Sequence, residues 1–272
     1  MAARSSFFAA LAVCLAGATI ACAPKSLQLP TTTSVTLDDA TPMLREALPQ
    51  CASLTSVTAE LGLSGRVGNA KLRGRIQAGF ARPDKVRLEA VAPFGAPFFI
   101  VAGTAGRATM WLPRDARVLR DVAPQAILDA LAGLSVTPDV LGAWIAGCPA
   151  PEFRAGAARA YGSDWVAVEG SGRTAWLRRT GAWRLVRSDG DGLHVEFADH
   201  TGTTPGRLRM QRADASAVPA LDLRMAVSQV ETNVPLDDKA FSVEVPADAA
   251  PMTLDELRAS GPLRDAVSAK TP

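Results

Sequence analysis

The sequence predicts a mainly β protein of the α+β kind: a large curled antiparallel sheet, an unclosed half-barrel of about ten or eleven strands, capped by a few short helices. Three observations carry this expectation. Two long tracts, from Leu54 to Val122 and from Trp165 to Val230, alternate apolar and polar residues with a period of two, as strands with one wet and one apolar face do. Turn signals such as Gly68-Asn69, Arg82-Pro83-Asp84 and Asp191-Gly192 break those tracts at short intervals. Helical spacing is confined to short segments, and a long sheet with one apolar face must then curl on itself to hide it.

The elements follow in order. Phe7 to Ile20 is an apolar run after Arg4, closed by Ala21-Cys22. This is the pattern of a secretory signal over residues 1–21, too short to span a membrane. Ala21 supplies the small residue that a bacterial lipoprotein signal needs before its acylated cysteine, so Cys22 is the expected lipidation site. The alternative is an ordinary cleaved signal with Cys22 incidental. Lys25 to Thr41 is polar and contains Pro, Thr and Ser, so residues 22–41 read as a lipid anchor followed by a flexible tether. A single domain is expected over residues 42–262, and residues 263–272 read as a disordered tail.

Within the domain, Pro42 to Gln50 reads as a short helix leading to Cys51. Strands follow over Val57–Ser64, Lys71–Phe80, Lys85–Ala90, Phe98–Ala102, Ala108–Leu112 and Arg117–Val122. Pro124–Leu131 and Pro138–Ile145 are helical by spacing, each with Pro in the first turn and with Gly133 and Gly147 as stops. Alternation then resumes over Trp165–Glu169, Thr174–Arg179, Trp183–Arg187, Leu193–Phe197, Leu208–Met210 and Leu221–Val230, with a last short strand at Phe241–Val245. Thr253 and Glu256 are spaced as a capping box at the head of a final helical turn.

The apolar face carries Leu61, Leu63, Ile76, Val86, Leu88, Leu193, Val195, Leu208, Met210, Leu223 and Met225. Two helices of about eight residues are too few to cover it, so these residues are the candidate lining of an apolar cavity, a site for a lipid or acyl chain. The alternative is a core filled by its own side chains. Cys14 leaves with the signal and Cys22 is reserved for acylation, so Cys51 and Cys148 remain as a disulfide pair in an oxidising compartment. The alternative is two separate buried thiols.

Other chemistry is poorly supplied. Net charge is +2, with basic residues spread singly along strands, which points away from nucleic acid. The chain has two His and one Tyr, leaving few groups for acid–base work near neutral pH. No enzyme activity and no cofactor are expected. No CxxC is present, and His194 with Glu196 offers two ligands at most on one strand face, so no metal is expected. Asp189-Gly190-Asp191-Gly192 reads as a hairpin, not a calcium loop.

The order of several short strings resembles one family. Val86-Arg87-Leu88-Glu89, then Ala92-Pro93-Phe94-Gly95, then Ala130-Leu131-Ala132-Gly133 and Ala143-Trp144-Ile145-Ala146-Gly147-Cys148-Pro149 resemble the LolA/LolB-like outer-membrane lipoprotein localisation factors, closest in pattern to the LolB-type lipoprotein receptor. The resemblance covers Leu54 to Pro149, and Trp183 to Val230 more loosely. It implies an unclosed barrel capped by helices, with an apolar cavity for the acyl chains of other lipoproteins. It also implies that the loop Pro93, Phe94 and Gly95 meets a membrane or partner, against the alternative of Phe94 folded inward. The chain departs from the receptor in its Cys51–Cys148 pair and in the tail from Val234.

The expected function is therefore a lipid-anchored envelope protein, on the outer membrane and facing the periplasm. It would bind the acyl chains of lipoproteins or other lipids, with a periplasmic lipoprotein carrier as a further partner. Ala23 after Cys22 is not the Asp that in some bacteria retains lipoproteins in the inner membrane. The alternative function is a scaffold lipoprotein of an envelope complex with no lipid cargo.

Overall fold

Alternation in sequence becomes pairing in space. The computed structural model describes residues 27–91, 96–213, 216 and 220–260. Cys22, the loop Pro93, Phe94 and Gly95, and residues 263–272 lie outside the described residues. Among the described residues the strands are β1 (Val35–Leu37), β2 (Ser56–Val67), β3 (Ala70–Ala81), β4 (Lys85–Val91), β5 (Phe99–Thr104), β6 (Arg107–Leu112), β7 (Arg117–Val122), β8 (Ala158–Tyr161), β9 (Trp165–Gly170), β10 (Arg173–Thr180), β11 (Ala182–Gly190), β12 (Leu193–Ala198), β13 (Arg207–Arg212), β14 (Leu221–Thr232) and β15 (Ala250–Pro251). The helices are α1 (Thr41–Ala47), α2 (Pro124–Ala132), α3 (Pro138–Ile145) and α4 (Leu254–Ser260).

All fifteen strands join one sheet, in the order β1-β8-β9-β10-β11-β12-β13-β14-β2-β3-β4-β5-β6-β7-β15. The order has two ends, so the sheet does not close. Its pairs are antiparallel, save β15 with β7. The edge strands β1 and β15 have three and two residues, which leaves little unpaired backbone to template another chain. Tight hairpins follow from X-Gly pairs. At Ala105-Gly106, Ser171-Gly172 and Asp191-Gly192 both residues have positive φ, the geometry that suits the twist of the flanking strands.

The halves of the chain meet at the centre, where β14 pairs with β2. Because β7 and β8 stand near opposite edges, the chain between them must cross a face of the sheet, and α2 and α3 lie on that crossing. The inner residues of β2, namely Val57, Ala59, Leu61 and Leu63, are buried, while Thr58, Glu60, Gly62 and Ser64 face outward. One hydrophobic core holds the inner residues of β2 to β14 together with those of α2 and α3. Ion pairs hold the outer face, such as Arg75 with Glu60 at 3.1 Å and Arg209 bound to both oxygens of Asp222 at 2.9 Å.

Several elements differ from expectation. The strand count is fifteen because β1, β8 and β15 add to the alternating ones. The strand expected at Phe241–Val245 is replaced by a 3-10 turn over Asp238–Phe241. Asp237 caps it by accepting from the Lys239 N–H at 2.9 Å, and Phe241 is buried on the outer face beneath the Lys85 ammonium. The helix expected over Pro42–Gln50 stops at Ala47 and is followed by a 3-10 turn at Cys51–Ser53. Of the segment expected as a tether, Val35–Leu37 pairs with β8, and the Leu27 N–H donates to Glu196 Oε1 at 3.3 Å. The capping box at α4 is reciprocal: Thr253 N–H donates to Glu256 Oε2 at 2.7 Å and Glu256 N–H to Thr253 Oγ1 at 3.2 Å.

Gly65 sits where β2 passes β14 with φ +143°, and a Cβ there would lie 2.2 Å from the Asp222 carbonyl oxygen. Gly62, three residues earlier, has 3.5 Å of room. Gly65→Ala is therefore expected to cost about 2–4 kcal/mol through strain and displaced backbone, and Gly62→Ala well under half of that. Urea unfolding of the two variants reads the contrast, and equal losses would refute it.

Candidate functional site: the helix-covered inner face

The eleven residues expected on the apolar face all lie inward, and each is buried. Pairing aligns them into rows across neighbouring strands. Leu63 stands opposite Met225, Met225 opposite Leu208, and Leu208 opposite Phe197. Met210 stands opposite both Leu223 and Val195. Leu61 continues through Ile76, and Leu88 lies opposite Ala78. The inner face is thus apolar over adjacent strands from β12 to β4.

What covers it is the crossing segment. α2 turns Ile127, Leu128 and Leu131 inward, and α3 buries Val140, Leu141, Trp144 and Ile145. The connection between the helices also contributes, because Leu134 and Val136 are buried. α3 lies close against the sheet: a Cβ on Gly142 would meet the Phe80 side chain at 3.1 Å. The inner residues of the strands thus share one core with those of the crossing segment.

Spaces remain at the margins. A groove of about 480 Å³ lies between α1 and the chain after α3, walled by Leu44, Leu48, Cys51, Cys148, Phe153 and Arg154, among others. A crevice of about 10 Å³ separates α3 from the ends of β2 and β3, among Val57, Phe80, Arg82, Asp139 and Gly142. That is room for one water. None of the eleven residues lines either space.

The covering is tied down unequally. Cys51 and Cys148 form a disulfide with their Cα atoms 5.6 Å apart, joining the turn after α1 to the chain just past α3. Beside it, the Gln50 side-chain amide donates to the Ala146 carbonyl at 2.9 Å and accepts from the Thr203 hydroxyl at 2.9 Å. At the other end of α3, Thr137 caps the helix and Arg82 donates to Asp139 at 3.0 Å. α2 has no covalent tie. It is held by its left-handed cap at Gly133, whose carbonyl accepts from Arg212 at 3.4 Å, by the Gln125 and Ser135 side-chain bonds at its own ends, by packing on α4, and by a 3.8 Å contact between Arg258 and Asp129. Inside the covering, Trp144 Nε1 is buried with no hydrogen-bond partner, a donor whose isolation costs on the order of 1–3 kcal/mol.

Burial pushes the Asp139 carboxyl above the ordinary range, and the attraction of Arg82 only partly offsets it. The Arg82–Asp139 link is therefore a weak clasp. His194 and Glu196, neighbours on one strand face, are each engaged elsewhere: His194 Nδ1 lies 2.6 Å from Asp189, and Glu196 accepts from the Leu27 N–H. Among the described residues no three His, Cys, Asp or Glu gather as a metal centre would need. The clasp and the Trp144 donor escaped sequence reading. Arg82 and Asp139 sit in a turn signal and a helix start, and nothing in their order along the chain marks them as neighbours.

No family model matches the chain, and no curated protein matches it. Among solved structures it is similar to a LolA superfamily protein from Nitrosomonas europaea, at 12% identity over 74% of this chain and 94% of that chain, with a TM-score of 0.45. It is also similar to a DUF1329 family protein from Desulfovibrio piger, at 13% identity over 71% of this chain and 92% of that one, again with a TM-score of 0.45.

Two stability predictions follow from the anchors. The disulfide closes a loop of 97 residues, so replacing both cysteines by Ser should cost up to about 4–5 kcal/mol of unfolding free energy, less if the reduced chain keeps structure. Urea titration with and without reductant reads this, and no difference would refute it. A carboxyl whose folded pKa is raised adds stability below its unfolded pKa and loses it as pH rises through that value toward the folded one. Asp139→Asn should therefore leave stability at neutral pH unchanged or higher, with the gap to wild type narrowing toward pH ~4. A clear loss of melting temperature at neutral pH would show that the ion pair outweighs the burial.

Proposed function

We propose that this chain is a lipid-anchored envelope protein, acylated at Cys22. In this reading it takes acyl chains of lipoproteins or other lipids onto its inner face, as carrier or acceptor in outer-membrane lipoprotein localisation. The observation that carries the reading is an inner face apolar from β12 to β4, covered by a crossing segment of which α2 has no covalent tie. An acyl chain would enter between α2 and the sheet, taking the place that Ile127, Leu128 and Leu131 now fill. The buried Trp144 N–H would then find an acceptor in the ester or amide carbonyl at the head of such a chain. The loop Pro93, Phe94 and Gly95 is proposed as the contact with the bilayer or the donor, because an apolar loop is costly in water unless something meets it.

One observation favours a second reading. The inner residues of the strands and those of α2 and α3 are buried together in one core, a packing that suits a scaffold lipoprotein of an envelope complex with no cargo.

The two readings diverge for Leu128→Ala. Truncating this buried residue costs about 2–5 kcal/mol in either case. If the inner face is a lipid site, the smaller plug should also bind a fluorescent fatty acid several-fold more tightly than wild type, with dissociation constants in the micromolar range, ~8 kcal/mol. If the protein is a scaffold, neither form binds the probe, and lipid extraction of the purified protein yields no bound lipid.

A further inference from the structure

We propose that the bare centre of the outer face is a docking surface for an anionic lipid bilayer. The two ends of the outer face are covered by the chain itself. Toward one edge, the N-terminal segment runs from Leu27 on Glu196 of β12 to Val35–Leu37 beside β8. Toward the other, the C-terminal segment lies on β4, where Arg87 donates to the Ala240 carbonyl at 3.0 Å and Phe241 is buried. Between them β2 and β3 keep their outer side chains open, Ser64, Arg66, Lys71, Arg73 and Arg75 all being exposed, with the half-buried Arg209 of β13 and Arg224 of β14 beside them.

This open stretch is basic. Arg207, Arg209, Arg224, Arg66, Lys71, Arg73 and Arg75 face outward there against three carboxylates, Asp222, Glu60 and Glu231. The surplus of four exceeds the net charge of the entire chain, +2. Asp222 is already engaged by Arg209 and Glu60 by Arg75. Arg66, Lys71 and Arg73 have no ion-pair partner among the described residues. Basic residues that are single along the chain become massed because the register puts them together.

Folding by itself disfavours this arrangement. Arg66 lies directly opposite Lys71, and like charges in register are destabilising, whereas Arg209 and Arg224, also opposite each other, share Asp222 between them. A phosphate-bearing surface would relieve the exposed Arg66–Lys71 repulsion. The location fits as well. Glu196, which holds the Leu27 N–H, stands in register with Arg209, so Leu27 lies beside the patch. Cys22 is five residues upstream, at most ~18 Å of extended chain. An acyl anchor there would press this face to the bilayer; that orientation, unlike the patch itself, rests on the acylation proposed above.

The test uses the chain from residue 22 carrying Cys22→Ser, which has no anchor, in sedimentation with vesicles of phosphatidylcholine alone or mixed with phosphatidylglycerol. Binding should appear with the mixed vesicles and fade as salt is raised. Together, Arg66→Ala, Lys71→Ala and Arg73→Ala should weaken it about 100-fold, roughly fivefold per cation, while the melting temperature stays equal or rises. Arg120→Ala, an exposed cation on β7, should change nothing. Equal retention by neutral vesicles, wild-type binding by the triple variant, or preference for nucleic acid over vesicles would each overturn the proposal. Mass analysis of native Cys22 is read separately: a missing acyl group overturns the anchored function, and the patch then stands or falls on the vesicle result alone.

Discussion

Between Val122 and Ala158 the chain has to travel from one side of a fifteen-stranded sheet to the other, and that crossing governs the rest of the molecule. β7 lies one strand from one edge and β8 one strand from the other. The path between them cannot avoid a face of the sheet. A polar segment laid there would leave the sheet's apolar side chains in water, at about 25 cal/mol for every Å² exposed. The segment is accordingly apolar on its sheet side, in the helices and in the connection alike. The curl follows from the same constraint. α3 packs on β2, β3 and β4, yet the disulfide ties its end to the turn after α1, and α1 packs on β10 and β11. On a flat sheet β11 and β3 would be five strand spacings apart, about 24 Å, too far for one short helix and a disulfide to bridge.

The outer face obeys a different logic. It is held by cross-strand ion pairs, and exposed pairs of that kind add little stability each, typically under about 1 kcal/mol. The outer side chains are therefore freer to serve recognition than the inner ones. The chain uses both of its ends to cover the flanks of this face, with Phe241 tucked under one segment and β1 laid beside β8. What stays open is where the longest strands, β2, β3 and β14, run side by side. A sheet this long has two surfaces with separate tasks: the inner one is committed to apolar packing, and the outer one is available to charge.

Much of this architecture is legible in the sequence, for identifiable reasons. β2–β7 and β9–β14 show because each runs long enough for period-two alternation to repeat. β1, β8 and β15 have at most four residues, too few to display a period. Phe241 misleads because Val243 and Val245 follow it at alternate positions, while the Asp237 cap, which decides the turn, leaves no trace in hydropathy. The Cys51–Cys148 bridge is legible by elimination, since the other two cysteines sit in the N-terminal signal pattern. The extent of filling is not legible. Counting the helices alone misses Leu134 and Val136, which cover the sheet from a connection that has no helical spacing. The basic patch is invisible for the converse reason: alternation says that Arg66, Arg73 and Arg224 face outward, but only strand order and register make them neighbours.

A filled inner face and a lipid site are compatible if the filling can be exchanged at low cost, and magnitudes decide which part can move. Lifting the entire crossing segment into water would expose its buried Leu, Ile, Val and Trp side chains at ~1.5–3 kcal/mol each. The total exceeds the ~5–15 kcal/mol that holds a typical domain together. Moving α2 alone exposes Ile127, Leu128 and Leu131, about 5–9 kcal/mol on the same scale. A chain arriving from water gains ~0.8 kcal/mol per methylene, so about a dozen methylenes would offset that movement. A chain arriving from another apolar site gains almost nothing, because its methylenes were already dry. For such a handover α2 cannot swing free; its apolar side must come to rest on the incoming chain, so that buried area is exchanged without being lost. The unequal ties match this division. α3 is held by the disulfide, by Gln50 and by its fit against Phe80, whereas α2 is held chiefly by the apolar contacts that an acyl chain could reproduce.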